Sequence, residues 1–97
     1  MDSTSNPAQA TREVRIPNPE GLHARPCHAI VSVAMEFGSD FRVAFEGREV
    51  NGKSILELMT LNAPVDSVLR LEAVGDDAQE LVSSVAELIE GGFEGTH

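Results

Sequence analysis

The sequence has 97 residues, 41% of them hydrophobic, and a formal net charge of −9 at pH 7. A chain of this length forms a single core and leaves no room for a second domain or a deep cofactor cleft. The acidic balance argues against a nucleic-acid partner, which would need a basic face, and no stretch approaches the ~20 apolar residues of a membrane span.

The N-terminal residues 1–10, MDSTSNPAQA, are polar and contain neither a basic start nor an apolar run. This composition argues against a signal peptide and predicts a disordered tail. Cys27 is the only cysteine of the chain and therefore cannot form an internal disulfide. Together these features predict a cytoplasmic protein, because the cytoplasm is reducing.

The next part of the chain shows a strand period followed by a helix period. Apolar and polar residues alternate in TREVRI, residues 11–16, which predicts a strand that ends at Pro17. Residues 24–37 place apolar side chains at i, i+3, i+4 and i+7, and Gly38 follows as a stop signal. A helix is therefore predicted over 24–37.

Three further short segments alternate in the same way as the first strand. FRVAFE, residues 41–46, and REVN, residues 48–51, are predicted to pair as a hairpin that turns at Gly47. VLRLEAV, residues 68–74, places alternate apolar residues on one face and predicts another strand. The chain is therefore expected to supply four strands.

Capping signals mark the two remaining helices. SILE has the form of a capping box, in which Ser54 bonds the backbone N–H of Glu57 and the Glu57 carboxylate bonds the N–H of Ser54. It begins a predicted short helix over 55–61. Asp77 begins a second capping signal, and the apolar stripe that follows it predicts the last helix.

The predicted order of elements is βαββαβα. Amphipathic helices need a surface on which to bury their apolar stripes, so we predict an α+β fold in which the helices cover one face of a small, mainly antiparallel sheet. The short helix and its flank carry more apolar residues than one face can bury, which predicts an exposed patch for a partner. These residues are Ile55, Leu56, Leu58, Met59 and Leu61.

EGLHARPCH, residues 20–28, places His23 at the predicted N-cap of the first helix. Histidine caps helices less well than Ser, Thr, Asp or Asn, so its presence calls for another explanation. The positive end of a helix dipole favours a neutral imidazole with a nucleophilic nitrogen. The free N–H groups at that end and the Arg25 guanidinium would then stabilise an anionic group on the ring. The pattern therefore predicts a site that holds a phosphoryl group.

GLHARP, residues 21–26, resembles the phosphorylation-site motif of HPr, the histidine phosphocarrier family of the phosphoenolpyruvate-dependent sugar phosphotransferase system (PTS). VNGKSILELMTL, residues 50–61, is similar to the second signature of that family, around its regulatory serine. The resemblance covers residues 11–93 and leaves 94–97 as a C-terminal tail. It implies an open-faced β-sandwich, in which three helices cover one face of a four-stranded antiparallel sheet of order 1-4-2-3.

The matching motifs also imply roles for individual residues. By this resemblance His23 carries the phosphoryl group on its Nδ1 atom, Arg25 stabilises that group, and Ser54 is the regulatory phosphorylation site. The partner-binding patch is implied to consist of Ile55, Leu56 and Met59.

The resemblance implies three kinds of protein partner for a monomeric carrier. Enzyme I supplies the phosphoryl group, EIIA domains receive it, and an HPr kinase/phosphorylase would act on Ser54. It implies no cofactor, no nucleic acid and no direct membrane insertion.

Several residues depart from the family pattern. Cys27 and His28 stand where alanine and a varied residue are usual. Glu20 stands where the family often has a small polar residue and is expected to lie near a phosphate of like charge, and Glu57 stands where many members have glycine or a basic residue. His23 and Cys27 are i, i+4 neighbours, a spacing that zinc ligands can use, but no second cluster supplies the remaining ligands, so the sequence disfavours a zinc site.

Two function classes stay open on the sequence alone. The first is the phosphocarrier, and the second is a regulatory binding module of an incomplete PTS, whose phosphorylation state controls a kinase or a transcription regulator. A module switched only through Ser54 has no need of His23 at an N-cap or of Arg25. A metabolic enzyme is disfavoured, because the sequence has no Gly-rich nucleotide loop.

Overall fold

Seven elements follow one another in the order βαββαβα in the computed structural model, which describes residues 8–93. The order matches the prediction, and the tail at 94–97 lies outside the described residues. The longest described helix has 13 residues, and none of the described helices has the length and apolar character that a membrane span requires. The elements are β1 (Gln9–Arg15), α1 (Ala24–Ala34), β2 (Asp40–Phe45), β3 (Arg48–Asn51), α2 (Ile55–Met59), β4 (Val68–Val74) and α3 (Ala78–Glu90).

The four strands form one sheet in the order β1-β4-β2-β3, and every neighbouring pair is antiparallel. The first strand pairs along its whole length with the last, from Gln9 opposite Val74 to Arg15 opposite Val68. The two central strands, β4 and β2, are therefore joined through a crossover that includes β3 and α2. The predicted strand order 1-4-2-3 is confirmed.

β1 begins two residues before the predicted strand. Gln9 and Ala10, which the sequence assigned to a disordered tail, pair with Val74 and Ala73, and Ala10 is buried. The prediction of a tail over 1–10 is therefore wrong at these two positions, because pairing with β4 orders two residues that show no strand signal of their own. Residues 1–7 lie outside the described part of the chain.

The core lies between the helices and one face of the sheet. Alternate residues of each strand point into it, whereas the opposite face carries exposed charged side chains such as Glu13, Arg42 and Arg70. Burial of a large apolar side chain contributes about 1.5–3 kcal/mol, so the core is the main source of stability. Its largest fully buried members include Ile16, Ile30, Phe41, Leu58, Leu69, Leu71, Leu81 and Ile89.

The two shorter helices end earlier than their apolar patterns predict. α1 ends at Ala34 rather than residue 37, and the turn after it is closed by bonds from Glu36 N to Val33 O and from Phe37 N to Ala34 O. These are i→i−3 bonds, which tighten the last turn of a helix. Likewise α2 is a single short helix of five residues instead of the predicted 55–61.

Asp77 occupies the N-cap position of α3, but its side chain does not cap that helix. Its carboxylate instead accepts hydrogen bonds from the N–H groups of Gly38 and Ser39, at 2.9 and 3.0 Å, and from the Ser39 hydroxyl. The predicted capping role is therefore wrong, since the turn before β2 offers the carboxylate three donors. The hydrogen bonds from the Ser39 hydroxyl and from these amides lower the pKa of Asp77 below its ordinary value of 3.8.

Replacement of Asp77 by asparagine is expected to reduce the stability of the protein at neutral pH. The stability of the variant should also change less than that of wild type as the pH is lowered. A carboxyl group whose folded pKa is lowered stabilises the protein above its unfolded pKa, and this contribution is lost as the pH falls through the folded pKa. Thermal unfolding of both proteins between about pH 7 and about pH 3 measures the effect. The difference in melting temperature should narrow below about pH 4, and a constant difference would contradict the assignment.

Candidate functional site

His23 is the N-cap residue of α1, as predicted, with extended backbone angles (φ −114°, ψ −167°). Its side chain is exposed and makes no capping hydrogen bond, while its carbonyl oxygen accepts the first helical bond from Cys27 N at 3.0 Å. The N–H groups of Ala24 and Arg25 precede the first intrahelical donor, and Pro26 has none. The imidazole therefore stands beside two backbone donors that the helix does not use.

The loop before His23 is held by close backbone contacts. Gly21 adopts φ +72°, and a Cβ atom there would lie 2.6 Å from the carbonyl oxygen of Ala63. Leu22 N donates to that same oxygen at 2.8 Å, and the Asn18 amide donates to Gly21 O at 2.7 Å. The chain thus enters α1 at a defined position, which fixes the place of the His23 side chain.

His23 lies in a shallow depression of about 590 Å³ at the N-terminal end of α1. Arg25, which the sequence predicted as its companion, lines the same depression and is exposed. Asn18 and Glu20 of the preceding loop also line it, and Glu20 thus lies close to His23, as its place in the motif predicts. The lining is completed by Gly92 and Phe93, which follow α3 and come from a part of the chain that local sequence patterns do not connect to His23.

A second concavity, a groove of about 710 Å³, runs between α1 and α2. It shares Ala24 and Arg25 with the depression, so the two surfaces are continuous. His28 is exposed and lines this groove. The remaining lining is small or apolar and consists of Ala29, Ser32, Val33 and Ile55.

The predicted patch on α2 divides into exposed and buried residues. Leu56 is 77% exposed and Met59 is 38% exposed, whereas Leu58 is fully buried. Ile55 is half-buried, packs against the core and borders the groove. Leu56 and Met59 are three residues apart on α2 and therefore share a face of the helix, so the exposed part of the patch is a pair of neighbouring apolar side chains.

Ser54 caps α2 as predicted, because its Oγ accepts a hydrogen bond from Glu57 N at 3.2 Å. The reciprocal half of the capping box is absent. The Glu57 carboxylate accepts from Asn51 N at 2.9 Å, and Ser54 N donates to Asn51 O at 3.1 Å. The Glu57 carboxylate therefore links α2 to the end of β3, because it accepts a hydrogen bond from the backbone of Asn51 instead of that of Ser54.

Cys27 and His28 do not share an environment with each other. Cys27 is fully buried in the core, and its burial raises the pKa of the thiol to about 11. His23, four residues before Cys27, is exposed, so the structure does not bring His23 and Cys27 together as a pair of metal ligands. Within residues 8–93, no three His, Cys, Asp or Glu side chains come together as a metal site.

The fold is an open-faced β-sandwich, in which three helices cover one face of a four-stranded antiparallel sheet. An exposed histidine lies at the N-terminus of α1, in a depression that is continuous with a groove bordered by Ile55. The family described as "PTS HPr component phosphorylation site" matches residues 10–91. The chain therefore belongs to the HPr family of phosphocarrier proteins.

Individual relatives agree with this assignment. The phosphocarrier protein HPr of Buchnera aphidicola subsp. Schizaphis graminum is 35% identical over 78 residues, which are 80% of this chain and 92% of the relative. HPr-C-His from Thermoanaerobacter tengcongensis has a TM-score of 0.83 and 37% identity, and the match covers 87% of this chain and 94% of that one.

A third similar protein is Crh, a catabolite repression protein of Bacillus subtilis whose crystal structure is a domain-swapped dimer. It has a TM-score of 0.65 and 33% identity, and the match covers 82% of this chain and 92% of Crh.

Proposed function

We propose that this chain accepts a phosphoryl group that originates from phosphoenolpyruvate, delivered by enzyme I, on His23 and passes it to EIIA domains of the PTS. The observation that carries the proposal is the position of His23. Its exposed imidazole lies at the N-terminus of α1, in one depression with Arg25, and this depression continues into the groove beside α2.

The proposed chemistry uses few protein groups. A ring nitrogen of His23, Nδ1 by the family resemblance, attacks phosphorus while the bond from phosphorus to the donor breaks, and the reverse step delivers the phosphoryl group to the acceptor. Such transfers need alignment and charge stabilisation more than covalent assistance. The unused N–H groups of Ala24 and Arg25 and the Arg25 guanidinium are placed to stabilise the phosphoryl oxygens.

The apolar patch of Ile55, Leu56 and Met59 is proposed as the place where partners dock. A partner that covers this patch and the adjoining groove would also cover His23, because the groove shares Ala24 and Arg25 with the depression. Such closure excludes water from the transferring group. A shallow site suits a carrier, since each partner in turn must reach the same atom.

Incubation with phosphoenolpyruvate and enzyme I, followed by mass spectrometry with site localisation, tests the proposal. We expect one phosphate, on His23, that is labile in acid and stable in base. A protein that takes no phosphate, or takes it on another residue, would overturn the carrier function.

Replacement of Arg25 by alanine is expected to slow phosphoryl transfer while leaving the fold intact. The Arg25 side chain is exposed and makes no hydrogen bond or ion pair within residues 8–93. Loss of one charge-assisted donor costs about 1.5–3 kcal/mol, which corresponds to a rate roughly ten- to a hundredfold lower. Rapid-quench measurements of transfer from phosphorylated enzyme I give this rate. The Arg25→Lys variant keeps the charge without the planar fork, so its rate should lie between those of wild type and Arg25→Ala. Equal rates would remove Arg25 from the site.

Phosphorylation of Ser54 by an HPr kinase/phosphorylase is proposed as the regulatory step. Ser54 is half-buried at the start of α2, next to Ile55 and Leu56. A phosphate would add close to two negative charges there, and a partner that covers the patch would have to desolvate them. The serine would thus control docking rather than the chemistry at His23.

A Ser54→Asp variant is expected to bind enzyme I at least about tenfold more weakly while it stays folded, because aspartate also caps helices but places a charge beside the patch. Ser54→Asn is the matched control, since asparagine caps equally well without the charge. Titration calorimetry with enzyme I compares the three proteins. Equal affinity of the Asp and Asn variants would contradict regulation by charge at this position.

The second candidate function is a regulatory module, which the similarity to the catabolite repression protein Crh favours. In that case phosphorylation would switch affinity for a kinase or a transcription regulator rather than supply a sugar permease. The exposed His23 with Arg25 beside it supports the carrier. Phosphate on Ser54 but not on His23, in parallel incubations with the kinase and with enzyme I, would favour the regulatory module.

We also propose that the carrier acts as a cytoplasmic monomer. The open face of the sheet carries charged side chains, among them Glu13, Arg42 and Arg70, and charged residues are depleted at the centres of stable interfaces. Light scattering coupled to size-exclusion chromatography measures the molar mass, and a dimer mass would contradict this expectation.

A further inference from the structure

Glu20 places a carboxylate in the depression that contains His23. Gly21 N donates to Asn18 O at 3.0 Å, so residues 18–21 form a β-turn with Pro19 and Glu20 at its centre. The next residue, Gly21, is packed against Ala63. The backbone of Glu20 is therefore held in place, and its exposed side chain lines one wall of the depression.

The Glu20 carboxylate has no compensating partner in the part of the chain that the structure describes. No hydrogen bond or ion pair joins it to another described side chain, and Arg25, the cation of the same depression, does not pair with it either. Within the described residues, the depression thus contains the imidazole together with one carboxylate and one guanidinium that do not pair with each other.

We propose that Glu20 raises the phosphoryl-transfer potential of His23 by repelling the bound phosphoryl group. The inference rests on the carrier function proposed above. A phosphoryl group at neutral pH carries close to two negative charges, and a carboxylate in the same depression raises the free energy of the phosphorylated state. The unphosphorylated state has no such repulsion, so the carrier holds the group less tightly and gives it up more readily.

The same repulsion favours the step that releases the group. In phosphoryl transfer the bond from the His23 nitrogen to phosphorus breaks as the bond from phosphorus to the acceptor forms, through a loose transition state. The phosphoryl group moves away from Glu20 during this step, and Glu20 neither gains nor loses a proton. Arg25 and the N–H groups of α1 attract the group, so the balance between Arg25 and Glu20 sets how tightly it is held.

The experiment measures the equilibrium between carrier and phosphorylated carrier. Wild type and variants are incubated with catalytic enzyme I at a fixed ratio of phosphoenolpyruvate to pyruvate, and intact-mass spectrometry measures the phosphorylated fraction. Glu20→Gln is expected to raise the ratio of phosphorylated to free protein about three- to tenfold at low salt, and this gain should shrink as salt screens the charges. Glu20→Lys should raise the ratio further, and Glu20→Asp should stay near wild type.

Glu13→Gln is the matched control, because it removes the same charge from the open face of the sheet, which is the face that α1 does not cover. Equal ratios for wild type and Glu20→Gln, an equal rise in the Glu13→Gln control, or a rise that does not depend on salt would each overturn the inference. These outcomes differ from failure of the carrier function itself, in which wild type and every variant would take no phosphate on His23.

Discussion

Replacement of His23 by alanine is expected to abolish phosphorylation by phosphoenolpyruvate and enzyme I while leaving the protein folded. The imidazole is exposed and makes no capping hydrogen bond, so the change should alter the free energy of unfolding by no more than about 0.5 kcal/mol. It removes the exposed imidazole at the N-terminus of α1, whereas the N–H groups of Ala24 and Arg25 and the Arg25 side chain remain. Mass spectrometry and a thermal melt measure the two effects on one sample.

His28→Ala is the matched control for this prediction. His28 is also an exposed histidine of α1, and it lines the groove rather than the depression. This variant should still take one phosphate on His23. Phosphate found on the His23→Ala protein, at His28 or elsewhere, would show that the carrier residue has been assigned wrongly.

Gly21→Ala is expected to be the most destabilising single change near the site. Its Cβ atom would lie 2.6 Å from Ala63 O and 2.9 Å from the Cα atom of Pro64, and both of these are backbone atoms that cannot rotate away. The left-handed conformation of alanine costs about 1–2 kcal/mol, and overpacking typically costs about 1–3 kcal/mol more. A loss of about 2–5 kcal/mol should lower the melting temperature by at least about 10 °C in a domain of this size.

Gly47→Ala separates the clash from the backbone conformation. Gly47 adopts a similar positive φ of +83°, but a Cβ atom there would meet nothing within 4 Å. The free energy of unfolding of the Gly47→Ala control should therefore fall only by the cost of the left-handed conformation, about 1–2 kcal/mol. Equal losses at both positions would show that the contact of Gly21 with Ala63 and Pro64 does not constrain the loop. Phosphoryl transfer to the Gly21→Ala protein below its melting temperature then reports how far His23 has moved.

The number, type and order of the elements could be predicted from the sequence because each depends on local period and local stop signals. The apolar residues that define the strand period of 68–74 lie within a few positions of each other, and the same holds for those that define the helix period after residue 24. The start of α1 at His23 and the cap of α2 by Ser54 are also local, and both are confirmed. The GLHARP motif likewise pointed to His23 and Arg25, which the structure brings into one depression; their roles in transfer stay predictions.

Contacts between distant parts of the chain lay beyond such reasoning. The Asp77 carboxylate bonds the turn at Gly38 and Ser39 instead of its own helix, and Glu57 bonds Asn51 instead of Ser54. Both side chains sit at helix starts where the local pattern offers a cap. A carboxylate bonds the donors that lie nearest to it in the folded chain. For Asp77 these donors are 39 and 38 residues away in the sequence, and for Glu57 the donor belongs to the preceding strand.

The βαββαβα order, the position of His23 at a helix start and the family of the chain could all be predicted from short contiguous motifs. Only the folded structure shows that β1 begins at Gln9, that the Asp77 carboxylate bonds the turn at Gly38 and Ser39, and that Gly92 and Phe93 line the depression of His23. The physical reason is the same in each case. Strand pairing, burial and the charges around a site depend on which surfaces meet, and segments far apart in the chain meet only when the sheet and its helices pack together.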